Sequence, residues 1–319
     1  MNVGIDAMGG DFAPKECINA VVKEANAENC DSHFFVFGEP ETLKEYAEDL
    51  NHPNITVVPS GESITMGEHA IKAVSTKKDS SINVGMHFLA EGKIDTFLGA
   101  GNTGAMMVSA LYNVKGIPGI DRPALSSVLP QQSGVTGVLV DVGANSDVKP
   151  ETLAKFAILG TEYAKAVYGI DNPRVGLVNI GEEEEKGNNI TKSAFPILKS
   201  QKGINFIGNV EGRHLFNDKV DVAVCDGFTG NVIVKTCEGF FYNLLKRGVE
   251  DDFLSKFNFQ NYGGTPILGI KKSVIVGHGI SNSKTFSNMI KLAKNVVESE
   301  LISKIELSIS ETTTNWSQK

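Results

Sequence analysis

Short apolar runs recur along the chain, and most of them end in Gly, Asp or Asn. NVGID ends at Asp6, HFFVFG at Gly38, NITVVP at Pro59, TFLGAG at Gly101 and GVLVDVG at Gly143. RVGLVNIG, NFIGNVEG, DVAVCDG and SVIVGHG follow, ending at Gly181, Gly212, Gly227 and Gly279. Runs of this length bounded by turn residues predict β-strands. Between them the apolar spacing changes to threes and fours, predicting helices such as Lys15–Ala27, Gly104–Asn113, Lys149–Tyr168 and Ser283–Ser299. In the last, Phe286, Met289, Ile290, Ala293, Val296 and Val297 carry the period. Strands alternating with helices predict a mostly parallel sheet covered on both faces. No Pro/Ser-rich linker interrupts the pattern, so residues 1–319 read as a single α/β domain. A helical hairpin is expected near 232–262, and the polar segment from 308 reads as a fraying tail.

Composition narrows the class. The chain has 319 residues, 41% hydrophobic and 21% charged, as an ordinary globular protein does. Its formal net charge of −8 argues against nucleic-acid binding. Cys17, Cys30, Cys225 and Cys237 form no C-x-x-C pair and read as reduced packing residues, which suits a cytoplasmic protein. The six histidines have no metal-ligand spacing. The start, MNVGIDAMGG, reads as strand and turn rather than as a signal peptide, and no apolar run approaches a membrane span.

The chemistry concentrates in the turns. Ligands of open parallel sheets bind outside the carboxyl ends of the strands. Five turns place Asn shortly after Gly: Asn102, Asn145, Asn188, Asn231 and Asn282. Each alone is ordinary turn chemistry. Together, amide side chains and bare glycine N–H groups suit an anion and a carbonyl. FLGAGNTGAMM is the clearest case, because a glycine turn leading into a helix presents backbone donors to an anion. Asp6, Asp141 and Asp226 end strands and would repel an anion unless a cation is near. Lys186, Lys235, Arg122 and Arg213 are the cations close by in sequence. Within NIGEEEEKGNN, Glu182–Glu185 are expected to begin a helix, with one Glu fixing Lys186. Arg122, in IDRPAL, is expected to contact an anion or, preferably, to form a structural fork with Asp121 or another carboxylate.

Familiar alternatives fail. Gly99, Gly101 and Gly104 match a dinucleotide fingerprint, but the Asp121 that follows lies in a proline-containing loop and not at a strand end. There is no Walker lysine in that loop, no G-x-S-x-G and no kinase signature set.

VGIDAMGGD, GAGNTGA, IDRPAL, DVGAN, VGLVNIGEEEEKGN, NFIGNVEGR, CDGFTGNVIVKT and YGGTPILG with GHGISN resemble, in order, the phosphate acyltransferase (PlsX-type) family of bacterial phospholipid synthesis. Glu185 departs from the Thr that many members carry there. The resemblance implies a three-layer α/β/α, Rossmann-like fold similar to the phosphotransacetylase and isopropylmalate dehydrogenase types. It also implies conversion of long-chain acyl-acyl-carrier-protein and inorganic phosphate to acyl-phosphate and free carrier, for phosphatidic acid synthesis. A homodimer is expected, peripherally associated with the inner face of the cytoplasmic membrane and handing its product to a membrane glycerol-3-phosphate acyltransferase. No metal and no organic cofactor is expected. Turns and motifs together make Asn102, Lys235, Asn231 and Lys186 the catalytic candidates. Asp6, Gly9, Gly10, Gly101, Thr103, Gly104, Asp141, Asn145, Asn179, Asn209, Asp226, Thr229, Gly230 and His278 are the substrate-binding candidates.

Charge supports an acidic partner. Residues 235–294 hold nine Lys/Arg against four Asp/Glu, a net of +5, while the remainder carries −13. That asymmetry suits an acidic carrier protein or an anionic membrane surface. In the expected hairpin, Phe253, Leu254 and Phe257 read as an exposed apolar set flanked by Lys246, Arg247 and Lys256, a pattern suited to the headgroup region.

Overall fold

A computed structural model describes residues 1–316. The single domain drawn from the sequence over 1–319 resolves into two compact units, one of Met1–Lys115 with Phe259–Glu298, the other of Gly116–Asn258 with the chain from Ser299 onward.

The first unit opens with β1 (Asn2–Asp6), α1 (Lys15–Ala25), β2 (His33–Gly38), α2 (Pro40–Leu43) and β3 (Ile55–Pro59). It continues with α3 (Ala70–Thr76), α4 (Ser81–Ala90), β4 (Thr96–Gly99) and α5 (Thr103–Asn113). The second unit contributes β5 (Ala124–Pro130), β6 (Thr136–Val140), α6 (Pro150–Tyr168), β7 (Arg174–Val178), α7 (Asn189–Ser200) and β8 (Asn205–Val210). There follow β9 (Val222–Val224), α8 (Gly227–Lys246) and α9 (Asp252–Ser255). The chain returns to the first unit for β10 (Gly264–Leu268), β11 (Ser273–Gly277) and α10 (Ser283–Glu298), and ends in the second with α11 (Leu301–Trp316).

In the first unit the strand order is β3-β2-β1-β4-β11-β10, parallel except for β10. In the second it is β5-β6-β9-β7-β8, parallel except for β5. The antiparallel strands β5 and β10 were not foreseen. β5 carries Ser126-Ser127 and β10 carries Pro266, which blur an apolar run, and antiparallel pairing with a sequence neighbour needs no helical crossover to announce it.

Buried strands carry nearly continuous apolar side chains, as two-sided burial requires. Val3, Ile5, Phe34, Phe37, Phe97 and Leu98 fill the first core, with Phe37 meeting Phe97 edge-on at 5.7 Å between centroids. Leu129, Leu139, Val210, Leu215, Val220, Ala223 and Cys225 fill the second. α6 is buried along both faces from Thr152 to Ala164, because α7, α11, β6 and β9 all pack on it. Pro150 starts it and Gly169, in the left-handed region, ends it.

α11 corrects the fraying tail expected from 308. Its Ser and Thr residues weaken helix propensity, but Leu301, Ile305, Ile309 and Thr312 recur on one side and are buried. Burial on that stripe outweighs propensity. The part of the tail call at 317–319 lies outside the described residues. Where a hairpin was expected near 232–262 the chain forms α8, a turn and the short α9.

At the amino ends of β7 and β9, Asp221 accepts Arg174 Nε and Nη2 at 2.8 Å each and the Arg174 amide at 2.7 Å. Burial raises the Asp221 carboxyl, and the Arg174 donors together outweigh it, so the group sits below its ordinary value of 3.8. Such a group stabilises the fold above that value, and the stability is lost as pH falls through the lower folded value. Asp221→Asn is therefore expected to cost about 1 kcal/mol near neutrality, since Arg174 is 43% exposed and solvent screens the pair. Urea melts from pH 7 down to pH 2.5 should show the gap between variant and wild type closing. A gap independent of pH would contradict a charge-based role.

Candidate functional site

In the first unit, β1, β4 and β11 are adjacent and parallel, so the turns after Asp6, Gly99 and Gly277 leave from one edge. A Cβ on Gly9 would lie 2.7 Å from the Gly101 nitrogen and 2.5 Å from Asp6 Oδ2, so these turns touch only because both are glycine. The Asp11 amide donates to the Gly279 carbonyl at 2.7 Å, which joins the third turn. Gly10 has φ of +108°. Asp6 is 1% exposed and accepts the Met8 amide at 3.0 Å. Burial drives its carboxyl above the ordinary range, against the donors around it. Asp6 thus acts as a buried pin under the turn. His278 stacks on Phe259, centroids 4.9 Å apart.

Asn102 is buried and caps α5, its Oδ1 accepting the Ala105 amide at 3.0 Å. Its Nδ2 faces the Thr65, Met66 and Glu68 carbonyls at 3.2, 3.3 and 2.9 Å. Glu68 in turn accepts the Thr65 amide and Lys77 Nζ, and Lys77 also donates to the Ser63 carbonyl. Asn102, expected among the catalytic groups, has its side chain committed to the loop at 63–68. What α5 leaves open is backbone: the Thr103 and Gly104 amides make no hydrogen bond among the described residues, and both residues are partly exposed.

In the second unit, β6, β9, β7 and β8 end along one edge. Asp141 is fully buried and accepts the Leu125, Ala144 and Asn145 amides and Asn145 Nδ2, at 2.7 to 3.1 Å. Asn145 Nδ2 also reaches the Pro123 carbonyl at 2.8 Å, and the Asn145 carbonyl accepts the Gly227 amide at 2.7 Å. Burial raises the Asp141 carboxyl despite these donors. Asp226 caps α8 through the Thr229 amide and hydroxyl, at 2.8 and 2.9 Å. Gly230 lies against the Asp141 carbonyl, where a Cβ would come within 1.8 Å. Asp141, Asn145, Asp226, Thr229 and Gly230, expected to bind substrate, therefore have their polar atoms or their space taken by the turn itself. Among the exposed polar groups on α8 are Asn231, whose Nδ2 donates to the Val142 carbonyl at 3.3 Å, and Lys235, paired with Glu238 at 2.7 Å.

Asn179 and Asn209, also expected to bind substrate, hold the acidic loop. Asn179 Nδ2 donates to the Lys186 carbonyl at 3.1 Å and Asn209 Nδ2 to the Glu183 carbonyl at 2.7 Å. Glu182 pairs with Lys219 and His214, and Glu184 with Lys199. The Glu–Lys186 pairing expected from sequence is replaced by these longer-range partners, and Lys186 is exposed. No helix begins at Glu182–Glu185. Gly187 has φ of +104°, and Asn188 then caps α7 by accepting the Thr191 amide at 2.9 Å. Arg213 pairs with Glu211 at 2.8 Å. The residues that sequence reasoning missed are Glu68 and Lys77, which tie the loop under Asn102; a separation of 34 to 37 residues between Asn102 and its acceptors leaves no local signal.

The first unit by itself offers backbone amides at α5, and the second by itself offers exposed amide and ammonium groups at Asn231, Lys235 and Lys186. These are donors for an anionic oxygen.

The model of a family described as "Fatty acid synthesis protein" matches residues 1–304. A curated phosphate acyltransferase of Thermoanaerobacterium thermosaccharolyticum is 43% identical over 328 residues, covering 97% of each chain. Among solved structures, EutD phosphotransacetylase from Staphylococcus aureus superposes with a TM-score of 0.63 at 15% identity, over 92% of this chain and 94% of that one. A 4-hydroxythreonine-4-phosphate dehydrogenase from Klebsiella pneumoniae gives 0.56 at 14% identity, over 93% and 97%. These two likenesses show the fold, which has the α/β class and the neighbours expected from sequence.

Proposed function

This chain belongs to the phosphate acyltransferase family, and we infer that it transfers a long-chain acyl group from acyl carrier protein to inorganic phosphate, forming acyl-phosphate for phosphatidic acid synthesis. The observation that carries this reading is the 43% identity to a phosphate acyltransferase over 97% of each chain, together with the family match over residues 1–304. Phosphate is itself an oxygen nucleophile, so the reaction asks for no activated Ser or Cys. A phosphate oxygen attacks the thioester carbonyl, the C–S bond breaks, and the thiolate leaves with the carrier and takes a proton. The protein has to hold phosphate against the carbonyl and stabilise the tetrahedral oxyanion. Within the second unit, Asn231, Lys235 and Lys186 are the groups we assign to those tasks; the first unit, taken by itself, offers the open Thr103 and Gly104 amides to an anion. Asp6, Asp141, Asn102, Asn145, Asn179 and Asn209 set the turns that carry them. As written, the reaction takes no metal and no organic cofactor.

The reading includes a homodimer, a peripheral seat on the inner face of the cytoplasmic membrane and delivery to a membrane glycerol-3-phosphate acyltransferase. Support comes from α8, where Phe240 and Leu245 are exposed near Lys246 and Arg247 at the end of the helix, and Phe228 and Val232 are exposed nearer its start. The second limb of the hairpin supports it less than sequence suggested, because Phe257 packs on Phe216 and Phe253 on Phe257 and all are half-buried. Among the described residues no helix is long and apolar enough to cross a membrane.

The decisive experiment incubates the protein with palmitoyl-carrier protein, with and without phosphate, and traps product with hydroxylamine. Hydroxamate formation that depends on both phosphate and protein is expected. A parallel reaction with acetyl-CoA separates a short-chain phosphotransacetylase, and activity confined to acetyl-CoA would overturn the long-chain reading.

A further inference from the structure

IDRPAL was singled out by sequence and is not used in the assignment above. The structural fork expected for Arg122 is absent: Asp121 pairs with Lys155 of α6 instead, and Arg122 is exposed and in no ion pair among the described residues. Arg174 and Arg213, by contrast, are each paired with a carboxylate.

The backbone around Arg122 is anchored on both sides. Asp121 is held by Lys155, the Pro123 carbonyl by Asn145 Nδ2, and the Leu125 amide by Asp141. Pro123 fixes its own φ and restricts Arg122 to extended geometry. β5 starts here and runs antiparallel to β6, with Ser126 opposite Val140. Arg122 therefore stands at the edge where β6 ends, one residue before Pro123, whose carbonyl accepts Asn145 Nδ2 of the loop at 141–145. A flexible surface arginine loses side-chain and backbone freedom on binding, whereas here the backbone part is already fixed by the fold. The planar guanidinium matches two oxygens of one phosphate group.

We propose that Arg122 binds a phosphate group during the reaction and so determines substrate affinity. This rests on the acyltransferase reading. The chemistry is shared by two sources, inorganic phosphate and the phosphodiester of the carrier's pantetheine arm. The anchored neighbours leave the fold intact without the guanidinium, so Arg122→Gln should melt as wild type does. It should raise one KM about 10- to 100-fold with little change in kcat, and Arg122→Lys should recover part of that loss. A raised KM for phosphate assigns the first source, and a raised KM for palmitoyl-carrier protein assigns the second.

A second arm needs no turnover. Inorganic phosphate or free phosphopantetheine should raise the melting temperature of wild type and not that of Arg122→Gln. Protection of wild type without any turnover on palmitoyl-carrier protein would sink the reaction reading and keep Arg122 as an anion site. Equal protection and equal KM values in the two proteins, or protection of neither, would overturn the proposal. A lowered melting temperature with unchanged KM would make Arg122 structural and overturn it too.

Discussion

Gly230→Ala is expected to lower stability by about 3 kcal/mol, a large share of the roughly 5–15 kcal/mol that holds a typical domain folded. The added Cβ would come within 1.8 Å of the Asp141 carbonyl oxygen and 2.9 Å of its carbon, both backbone atoms, with Cys225 Sγ at 3.1 Å on another side. No flexible side-chain end is available to yield. The first turn of α8 would have to lift from the end of β6. That would strain the Gly227 amide bond to Asn145 and through it the four donors gathered on Asp141. Gly239, nine residues along the same helix, has nothing within 4 Å of its ideal Cβ. There, Ala removes the entropic penalty of glycine in a helix and should stabilise by about 0.5–1 kcal/mol. Urea unfolding of the two variants side by side checks both signs. A Gly230→Ala protein with the wild-type midpoint would mean that α8 does not seat on β6 in this way.

The contrast between those glycines marks what was legible in the sequence. CDGFTGNV reads plainly as a strand end, a turn and a helix start, because Asp, Gly and Asn are the residues that a cap and a tight approach demand. The same holds for GAGNTGA, where the strand, the Asn102 cap and the α5 period are all local. Local signals also located most parallel strands and the long helices. They could not say which polar atoms remain free, because that depends on partners far away in the chain. Asp141 looked like a carboxylate at a ligand edge, and it is a buried acceptor for β5 and for residues 144–145. Asn209 looked like a strand-end amide, and it holds the Glu183 carbonyl 26 residues away. The acidic run looked like a helix start because carboxylates favour that position. Gly187 and Asn188 instead moved the start to Asn189, and Glu182 and Glu184 turned to lysines from other segments. Division into two units was invisible as well, since no linker composition marks Lys115, Asn258 or Glu298. In α11 the stripe through Ile305, Ile309 and Thr312 is masked by the Ser and Thr between them, and only its packing on α6 makes it a helix.

Asn102 carries the second large prediction, because its position at the head of α5 invites two different roles. A direct contact to the oxyanion would cost roughly two to three decades of rate on removal while leaving the fold untouched. The geometry argues for a positioning residue. One side chain, itself buried, supplies the α5 cap and faces three carbonyls of the 65–68 loop, whose bonds are partly shielded from solvent. Asn102→Ala should therefore lose about 1 kcal/mol for the cap and about 1 kcal/mol more for the loop bonds, whose carbonyls solvent can partly reach. Asn102→Asp keeps the cap oxygen and sets a carboxylate oxygen against those carbonyls, so it should release the loop while α5 stays capped. Displacement of the Thr103 and Gly104 amides by about 1 Å is enough for a loss of roughly a hundredfold in turnover. Hydrogen exchange across residues 61–69 separates the two roles. Faster exchange there, a lower melting temperature and slower turnover should appear together in both variants. Slow turnover with unaltered exchange and melting would make Asn102 a substrate contact. Unaltered turnover in a protein with a freed loop would show that neither the loop nor Asn102 bears on the reaction.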